Sequence, residues 1–197
     1  MQSGLEQLMD DKEKMTRIGI FYGSNGWRTE HVAYEIKKLL DEIEPGLSTV
    51  FNIARGTPQD IEASDYVIFG VPSWNIGQLQ DDWGLFFPRM NEVDLQGVKV
   101  AIFGLGDQDG YPTTFLDAVG ILGKKAIERG GELVGYWPAR NYQVEASLAL
   151  EGDQFMGLAI DEDSEPELTP ERIRAWVKLI VEEFGIAEGE VVKQAGV

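Results

Sequence analysis

Short apolar runs alternate with helical patterns along this chain, and this alternation limits the fold more than any other feature. Three runs, at residues 17–22, 66–71 and 98–103, are rich in β-branched and aromatic residues without polar alternation, which is typical of strands covered on both faces. The sequence therefore predicts an α/β fold with a doubly wound, five-stranded parallel sheet and helices on both faces. The helical stripes are Val32, Ile36, Leu39 and Ile43; Phe115, Val119, Leu122 and Ala126; and Ile173, Trp176, Val177, Ile180 and Phe184.

An insertion is predicted to interrupt the fifth strand of this sheet. Residues 132–135 and 155–160 are both apolar, and the more polar residues 136–154 separate them. The last helix is predicted to begin with Thr169 as its N-cap and Pro170 at its first helical position.

Chain length favours one domain. With 197 residues, of which 43% are hydrophobic, the chain can form one substantial core. We expect the domain at residues 16–186, a flexible N-terminal extension at residues 1–15 and a C-terminal tail at residues 187–197. No apolar run approaches the roughly 18 residues that a membrane-spanning helix needs, and no signal peptide is visible. We therefore expect a cytoplasmic protein without a membrane partner.

Composition excludes several kinds of chemistry. The chain has no cysteine, so disulfides, thiolate catalysis and iron–sulfur ligation are excluded, and redox chemistry would need an organic cofactor. The single histidine, His31, is interpreted as a surface residue, and neither a catalytic nor a metal site is predicted. The net charge of −17 argues against nucleic acid as a partner. This charge either steers the chain toward basic protein surfaces or serves solubility alone.

Three loops of possible function follow the first, third and fourth predicted strands, at residues 23–29, 72–77 and 105–111. Ligands of parallel sheets bind at the carboxyl ends of the strands, so these loops are expected to meet. The first loop offers backbone N–H groups, a helix N-terminus and the hydroxyls of Ser24 and Thr29 to an anion. It lacks the fingerprints of nucleotide triphosphate and dinucleotide loops. Taken alone, it binds a phosphate or merely turns the chain.

The other two loops each carry a large aromatic residue, Trp74 or Tyr111, outside any helical stripe. Aromatic side chains in loops often pack into a core instead of binding a ligand. Their joint placement at one sheet edge favours the second interpretation, in which two rings enclose one flat heterocycle.

Longer motifs resemble the long-chain flavodoxins of bacteria and algae. Residues 68–83 and 104–111 are similar to the two isoalloxazine-binding segments of that family, and residues 134–138 and 157–163 are also similar to it. The similarity extends from about residue 18 to residue 184. It implies the flavodoxin-like form of the fold, with the insertion that marks the long-chain class, and FMN as the cofactor.

The resemblance also implies roles for individual residues. Tyr111 would flank the outer face of the flavin ring and Trp74 the inner face. The carbonyl of Asn75, in a turn freed by Gly77, would accept a hydrogen bond from the reduced flavin N5–H. Asp107 would lie near the pyrimidine edge. The full set of implied FMN-binding residues is Ser24, Asn25, Gly26, Trp27, Arg28, Thr29, Pro72, Ser73, Trp74, Asn75, Ile76, Gly77, Gly106, Asp107 and Tyr111.

One loop departs from the family pattern. Where the family has Thr/Ser-x-Thr-Gly-x-Thr, residues 24–29 place Gly26 at the central threonine and Trp27 at the glycine. Three outcomes are open. Gly26 supplies the unusual backbone angles, Trp27 points to solvent or covers the site, and Arg28 adds a contact to the phosphate. Alternatively, the phosphate pocket is weakened and riboflavin competes better. In the third, the ligand is not a flavin.

The implied function is that of a low-potential one-electron carrier, not an enzyme. It would bind FMN non-covalently, shuttle it between semiquinone and hydroquinone, and act as a monomer with basic-surfaced redox proteins. One alternative is a flavin-dependent NAD(P)H or quinone reductase on the same fold, although Tyr111 would block a second substrate. Another is a cofactor-poor interaction module, which the altered phosphate loop would permit.

Overall fold

A parallel sheet flanked by helices makes up residues 17–186, the part of the chain that this computed structural model describes. The expected extension at 1–15 and the tail at 187–197 lie outside the described residues. In chain order the elements are β1 (Ile18–Tyr22), α1 (Arg28–Ile43), β2 (Ser48–Asn52), α2 (Pro58–Glu62), β3 (Tyr66–Trp74), β4 (Gln78–Leu79), α3 (Asp81–Phe86), β5 (Lys99–Leu105), α4 (Asp117–Glu128), β6 (Glu132–Val134), β7 (Trp137–Pro138), β8 (Leu150–Glu151), β9 (Gln154–Phe155), β10 (Leu158–Ile160) and α5 (Thr169–Phe184).

The sheet has the order β2-β1-β3-β5-β10, and these strands are parallel. The fifth position is shared by two short strands, because β6 pairs with Lys99–Ala101 of β5 and β10 pairs with Phe103–Leu105. The α/β prediction and the predicted interruption of the fifth strand are therefore both confirmed. The short β4 folds back antiparallel onto the end of β3.

Apolar cores lie on both faces of the sheet, which explains why the strand runs do not alternate with polar residues. On β1, Ile20 faces a core that includes α1 and α5, and Phe21 faces a core that includes α3 and α4. Both side chains are fully buried. Burial of an aliphatic or phenylalanine side chain contributes about 1.5–3 kcal/mol, so each strand is held from two sides.

Two boundaries differ from the prediction. The third strand extends to Trp74, which therefore ends a strand and does not lie in a loop. The last helix begins at Thr169 itself, with Leu168 at the N-cap, so the predicted N-cap is wrong by one residue. A 3-10 turn at Pro166–Leu168 already brings Leu168 into helical geometry, and the Thr169 hydroxyl donates instead to the Glu162 carboxylate.

The insertion forms a small sheet of its own, in the order β7-β9-β8. It packs against the start of α4, where a Cβ placed on Gly120 would overlap the backbone of Leu148. Among residues 17–186, no helix is long and apolar enough to cross a membrane. The same residues contain no group of histidine and carboxylate side chains that could hold a metal ion.

Candidate functional site

A cavity of about 380 Å³ opens at the carboxyl ends of β1, β3 and β5. This volume lies within the usual range for small-molecule sites, about 300–1,000 Å³. The position is the expected one for a doubly wound sheet, where ligands bind near the point at which the strand order reverses. The residues lining the cavity are Ser24, Asn25, Gly26, Trp27, Arg28, Thr29, Pro72, Ser73, Trp74, Asn75, Leu105, Gly106, Asp107, Tyr111, Glu162 and Asp163.

One end of the cavity is the N-terminus of α1. No side chain caps this helix, and the Glu30 carboxylate, which could fold back onto it, instead accepts a hydrogen bond from the Tyr22 hydroxyl at 2.8 Å. Burial and this carboxylate raise the pKa of Tyr22 to about 12. The Thr29 side chain is only 2% exposed, and its hydroxyl has no hydrogen-bond partner within residues 17–186. The first turn therefore presents unpaired donors to the cavity.

Hydrogen bonds to the start of α3 hold the loop before α1 in place. Asn25 Nδ2 donates to Asp81 Oδ2 at 3.0 Å, and the buried Gln80 amide donates to Asn25 Oδ1. At Gly26 the backbone is not left-handed, and a Cβ would meet nothing within 4 Å. The idea that Gly26 supplies unusual backbone angles is therefore wrong, because Asn25 already sets the path of the loop.

Trp27 and Arg28 leave this loop in different directions. Trp27 is 65% exposed and its ring lies 5.7 Å from that of His31, so the indole faces solvent at the rim of the cavity. Arg28 Nη1 donates to Asp163 Oδ1 at 2.7 Å. This hydrogen bond to the Asp163 carboxylate raises the pKa of the Arg28 guanidinium. An ion pair thus connects the α1 end of the cavity with the turn that follows β10.

The inner wall is a hairpin between β3 and β4. Trp74 is half-buried at the end of β3 and pairs with Gln78. Asn75 and Gly77, in the turn, have φ values of 49° and 77°. Asparagine and glycine are the residues that adopt such angles most readily, which fits the turn sequence. A Cβ on Gly77 would lie 2.5 Å from Asp117 Oδ2, so the turn rests directly on α4.

The outer wall is the turn at residues 107–111. Asp107 Oδ1 accepts from the Gly110 N–H at 2.7 Å, and the Asp107 carbonyl accepts from the Tyr111 N–H at 3.0 Å. The Gly106 N–H donates to Ile160 O at 3.0 Å, which ties the turn to β10. Tyr111 is 48% exposed, so its ring stands beside the cavity without being packed into the core.

The structure brings nearly all of the predicted site residues to this one cavity. Ile76 and Gly77 do not line it; Ile76 is strongly exposed and Gly77 supports the turn. Leu105, Glu162 and Asp163 line the cavity but were not predicted as site residues. The resemblance of residues 157–163 to a known family was the signal that pointed to the last two.

Comparison with known proteins assigns the family. The family model for flavodoxin matches residues 20–176. The chain is 44% identical to a flavodoxin of Klebsiella pneumoniae over 175 residues, which is 88% of this chain and 98% of the relative. The chain belongs to the flavodoxin family. A flavodoxin of Synechococcus elongatus is 42% identical over 172 residues, 87% of this chain and 100% of that flavodoxin.

A solved flavodoxin also shares the fold. The structure of Fusobacterium nucleatum flavodoxin bound to flavin mononucleotide superposes with a TM-score of 0.81 at 30% identity, covering 86% of this chain and 99% of that one. The family model spans all three loops around the cavity. Flavodoxins are electron-transfer proteins and not enzymes, and they act with redox partner proteins.

Proposed function

We propose that this chain carries electrons one at a time between redox proteins, using FMN bound non-covalently in the cavity. The observation that carries the proposal is the combination, in one cavity, of two aromatic side chains with an uncapped helix N-terminus. A flat ring that ends in a phosphate matches both halves. FMN supplies the redox chemistry when it is bound, and the chain supplies binding, orientation and electrostatics.

The α1 end fits a phosphate group. The free N–H groups of the first helical turn and the Thr29 hydroxyl are donors, and the helix dipole favours negative charge there. The Ser24 hydroxyl donates to Gly26 O at 2.5 Å and would have to turn to reach a phosphate. Arg28 lies at the same end and would add a charge-assisted contact if it turned from Asp163. This donor set argues against the cofactor-poor interaction module that the altered loop would permit.

The other end fits the flavin ring. Trp74 and Tyr111 would flank its two faces, and the Asn75 carbonyl would accept a hydrogen bond from the N5–H of the reduced ring. Asp107 is held in place by its bond to Gly110 and would lie near the pyrimidine edge. The φ of 49° at Asn75 lies in the left-handed region, which asparagine adopts more readily than most residues, and it forms the turn that brings Asn75 to the cavity.

Acidic groups around the cavity would lower the reduction potential of the bound flavin for its second electron. Asp107, Glu162 and Asp163 lie at the cavity, and Arg28, the only basic residue that lines it within residues 17–186, is already paired. A negative surround disfavours an anionic reduced ring, which lowers the potential of the second electron. The net charge of −17 would likewise favour partners with basic surfaces.

We further propose that the unit is a monomeric cytoplasmic domain at residues 16–186. The two apolar faces of the sheet are both covered by helices from the same chain, which supports a domain that needs no second copy for its core. The half-exposed Tyr111 supports electron exchange at the cavity rim over a second substrate stacked on the ring.

Stepwise reduction of the purified protein tests this function. We expect a yellow protein whose absorption spectrum, during anaerobic titration with a reductant, changes in two separate one-electron stages. FMN should be recovered from the protein after denaturation. A colourless protein that does not quench added FMN would refute FMN binding, and reduction in a single two-electron stage would refute the carrier role.

A further inference from the structure

The outer turn is held from below by one buried side chain, Gln108. This residue is 4% exposed and lies between Asp107, which lines the cavity, and the rest of the Tyr111 turn. Its backbone N–H donates to Asp161 Oδ2 at 3.1 Å, and its side-chain Nε2 donates to Glu165 Oε2 at 3.2 Å. A buried amide with bonds in several directions has little freedom to move.

The third bond of Gln108 reaches the insertion. Gln108 Oε1 accepts from the Gln143 N–H at 2.8 Å. Directly after Tyr111, the Pro112 carbonyl accepts from the N–H groups of Glu145 and Ala146 at 2.9 and 3.2 Å. Residues 143–146 of the insertion therefore donate hydrogen bonds to the turn on both sides of Tyr111.

A further layer fixes Glu165, the acceptor for Gln108. Arg172, 8% exposed, donates to Glu165 Oε2 at 2.6 Å, and its guanidinium lies 4.6 Å from the centroid of the Tyr142 ring. The Tyr142 hydroxyl donates to Ala159 O at 2.7 Å. Gln108 thus joins the turn to α5, to β10 and to the insertion through groups that are themselves held in place.

We propose that Gln108 is a positioning residue that holds Asp107 and Tyr111 against the flavin ring. Through its bond to Gln143, it makes their position depend on the insertion. The inference rests on the proposed FMN site. It concerns the ring end, because Gln108 adjoins Asp107 and its hydrogen bonds go to Asp161, Glu165 and Gln143, not to residues 24–29. A defect at Gln108 should therefore weaken the binding of FMN and of riboflavin, which lacks the phosphate, by the same factor.

The variant Gln108→Glu tests this role. It keeps the acceptor for the Gln143 N–H but places a carboxylate against Glu165, where a donor is needed. We expect the dissociation constants of both FMN and riboflavin to rise about tenfold, the effect of losing one hydrogen bond to a charged group. The matched control is Gln154→Glu, the same change at an exposed position of the insertion, which should leave both constants within about twofold.

A neutral variant separates the lost hydrogen bonds from the added charge. Gln108→Met, which is neutral and makes neither side-chain bond, should weaken both ligands equally. It serves if the charged variant does not fold, as judged by circular dichroism of the apoprotein.

Two results would overturn the inference. One is a folded Gln108→Glu or Gln108→Met protein whose affinities match those of the control. The other is a folded variant that loses FMN affinity but keeps riboflavin affinity, because a defect at the ring end must weaken both ligands. Loss of flavin binding by the unmodified protein would instead refute the proposed function itself, so the two failures are distinguishable.

Discussion

Arg28 Nη1 lies 2.7 Å from Asp163 Oδ1, and this ion pair joins the start of α1 to the turn after β10 at the cavity. Both side chains are about half exposed, at 47% and 50%. Such a pair contributes little to stability in water, on the order of 0.2–1 kcal/mol. The pair matters for ligand binding, because a phosphate at α1 and the Asp163 carboxylate would compete for the same Arg28 guanidinium.

Removing the Asp163 charge should therefore favour the phosphate. We expect Asp163→Asn to strengthen FMN binding by about two- to fivefold, the range of an exposed ion pair, and to leave riboflavin binding unchanged. Fluorescence titration of the apoprotein with each flavin measures this. Glu128→Gln, which unpairs Lys125 on α4, is the control and should change neither. Weaker FMN binding by Asp163→Asn would mean instead that Asp163 holds Arg28 in its binding position.

The Thr29 hydroxyl should act on the phosphate alone. Thr29→Val keeps the shape of a buried side chain but removes a donor that has no partner within residues 17–186. We expect FMN affinity to fall about ten- to a hundredfold, the range for a lost hydrogen bond to a charged group, with riboflavin affinity unchanged. Equal losses for both flavins would show that Thr29 supports the shape of the loop.

Trp27 should matter little for binding. Its backbone has ordinary helical angles and its indole is largely in solvent, so neither the path of the loop nor the donor set depends on it. We expect Trp27→Gly to keep FMN and riboflavin affinities within about threefold, since surface changes away from special features usually alter free energies by about 0.5 kcal/mol. A large loss for both flavins would place the indole over the ligand.

Substitution by alanine should destabilise the protein at Gly77 but not at Gly26. Gly77→Ala forces a Cβ into the left-handed region and to within 2.5 Å of Asp117 Oδ2. We expect a loss of about 1–2 kcal/mol in the free energy of unfolding of the apoprotein, measured with denaturant, and weaker flavin binding. Gly26→Ala meets neither problem and should be close to neutral. If it proves as damaging as Gly77→Ala, the loop depends on Gly26 after all.

Alkaline pH should loosen the hold of the insertion on β10. Burial raises the pKa of Tyr142 to about 12, whereas an unfolded tyrosine ionises near 10. Its stabilising effect is therefore complete below pH 10 and is lost as pH rises through 12, because the ionised hydroxyl cannot donate to Ala159 O. The free energy of unfolding should fall by on the order of 1 kcal/mol per pH unit in that window.

Tyr142→Phe is the matched variant for this pH effect. It retains the ring beneath Arg172 but has no proton to lose. We expect a lower free energy of unfolding at neutral pH and a shallower decline above pH 10. Tyr22 and Tyr136, whose pKa values are also raised to about 12, keep part of the slope in both proteins. Identical slopes would show that Tyr142 titrates normally.

Much of the fold was predictable because both sheet faces are buried. Runs such as residues 98–103 need to be apolar throughout, because a parallel sheet with helices on both faces buries both sides of each inner strand. The end of β3 was missed because Pro72 and Ser73 look like loop residues. They remain extended because Ser73 and Trp74 pair with β4, a two-residue strand that no periodicity can reveal.

The cavity was predictable in its position and less so in its details. Family motifs located Trp74 and Tyr111, whereas the pairing of Arg28 with Asp163 joins residues far apart in the chain and requires the folded geometry. The expectation for Gly26 failed for a similar reason. The contacts of Asn25 with Asp81 and Gln80, which fix that loop, come from a helix start that follows a different strand.

Because the fifth strand is split, the insertion begins and ends at neighbouring positions of the sheet. Val134 pairs with Ala101 and Leu158 pairs with Phe103, so the chain leaves and re-enters the sheet only two positions apart on β5, about 7 Å. A replacement segment would have to begin and end at that gap and supply the N–H groups that face Gln108 and Pro112. It would also have to refill the part of the core that Ala149, Phe155 and Met156 occupy. A segment that meets these demands would place a reporter or a partner-binding loop beside the redox centre.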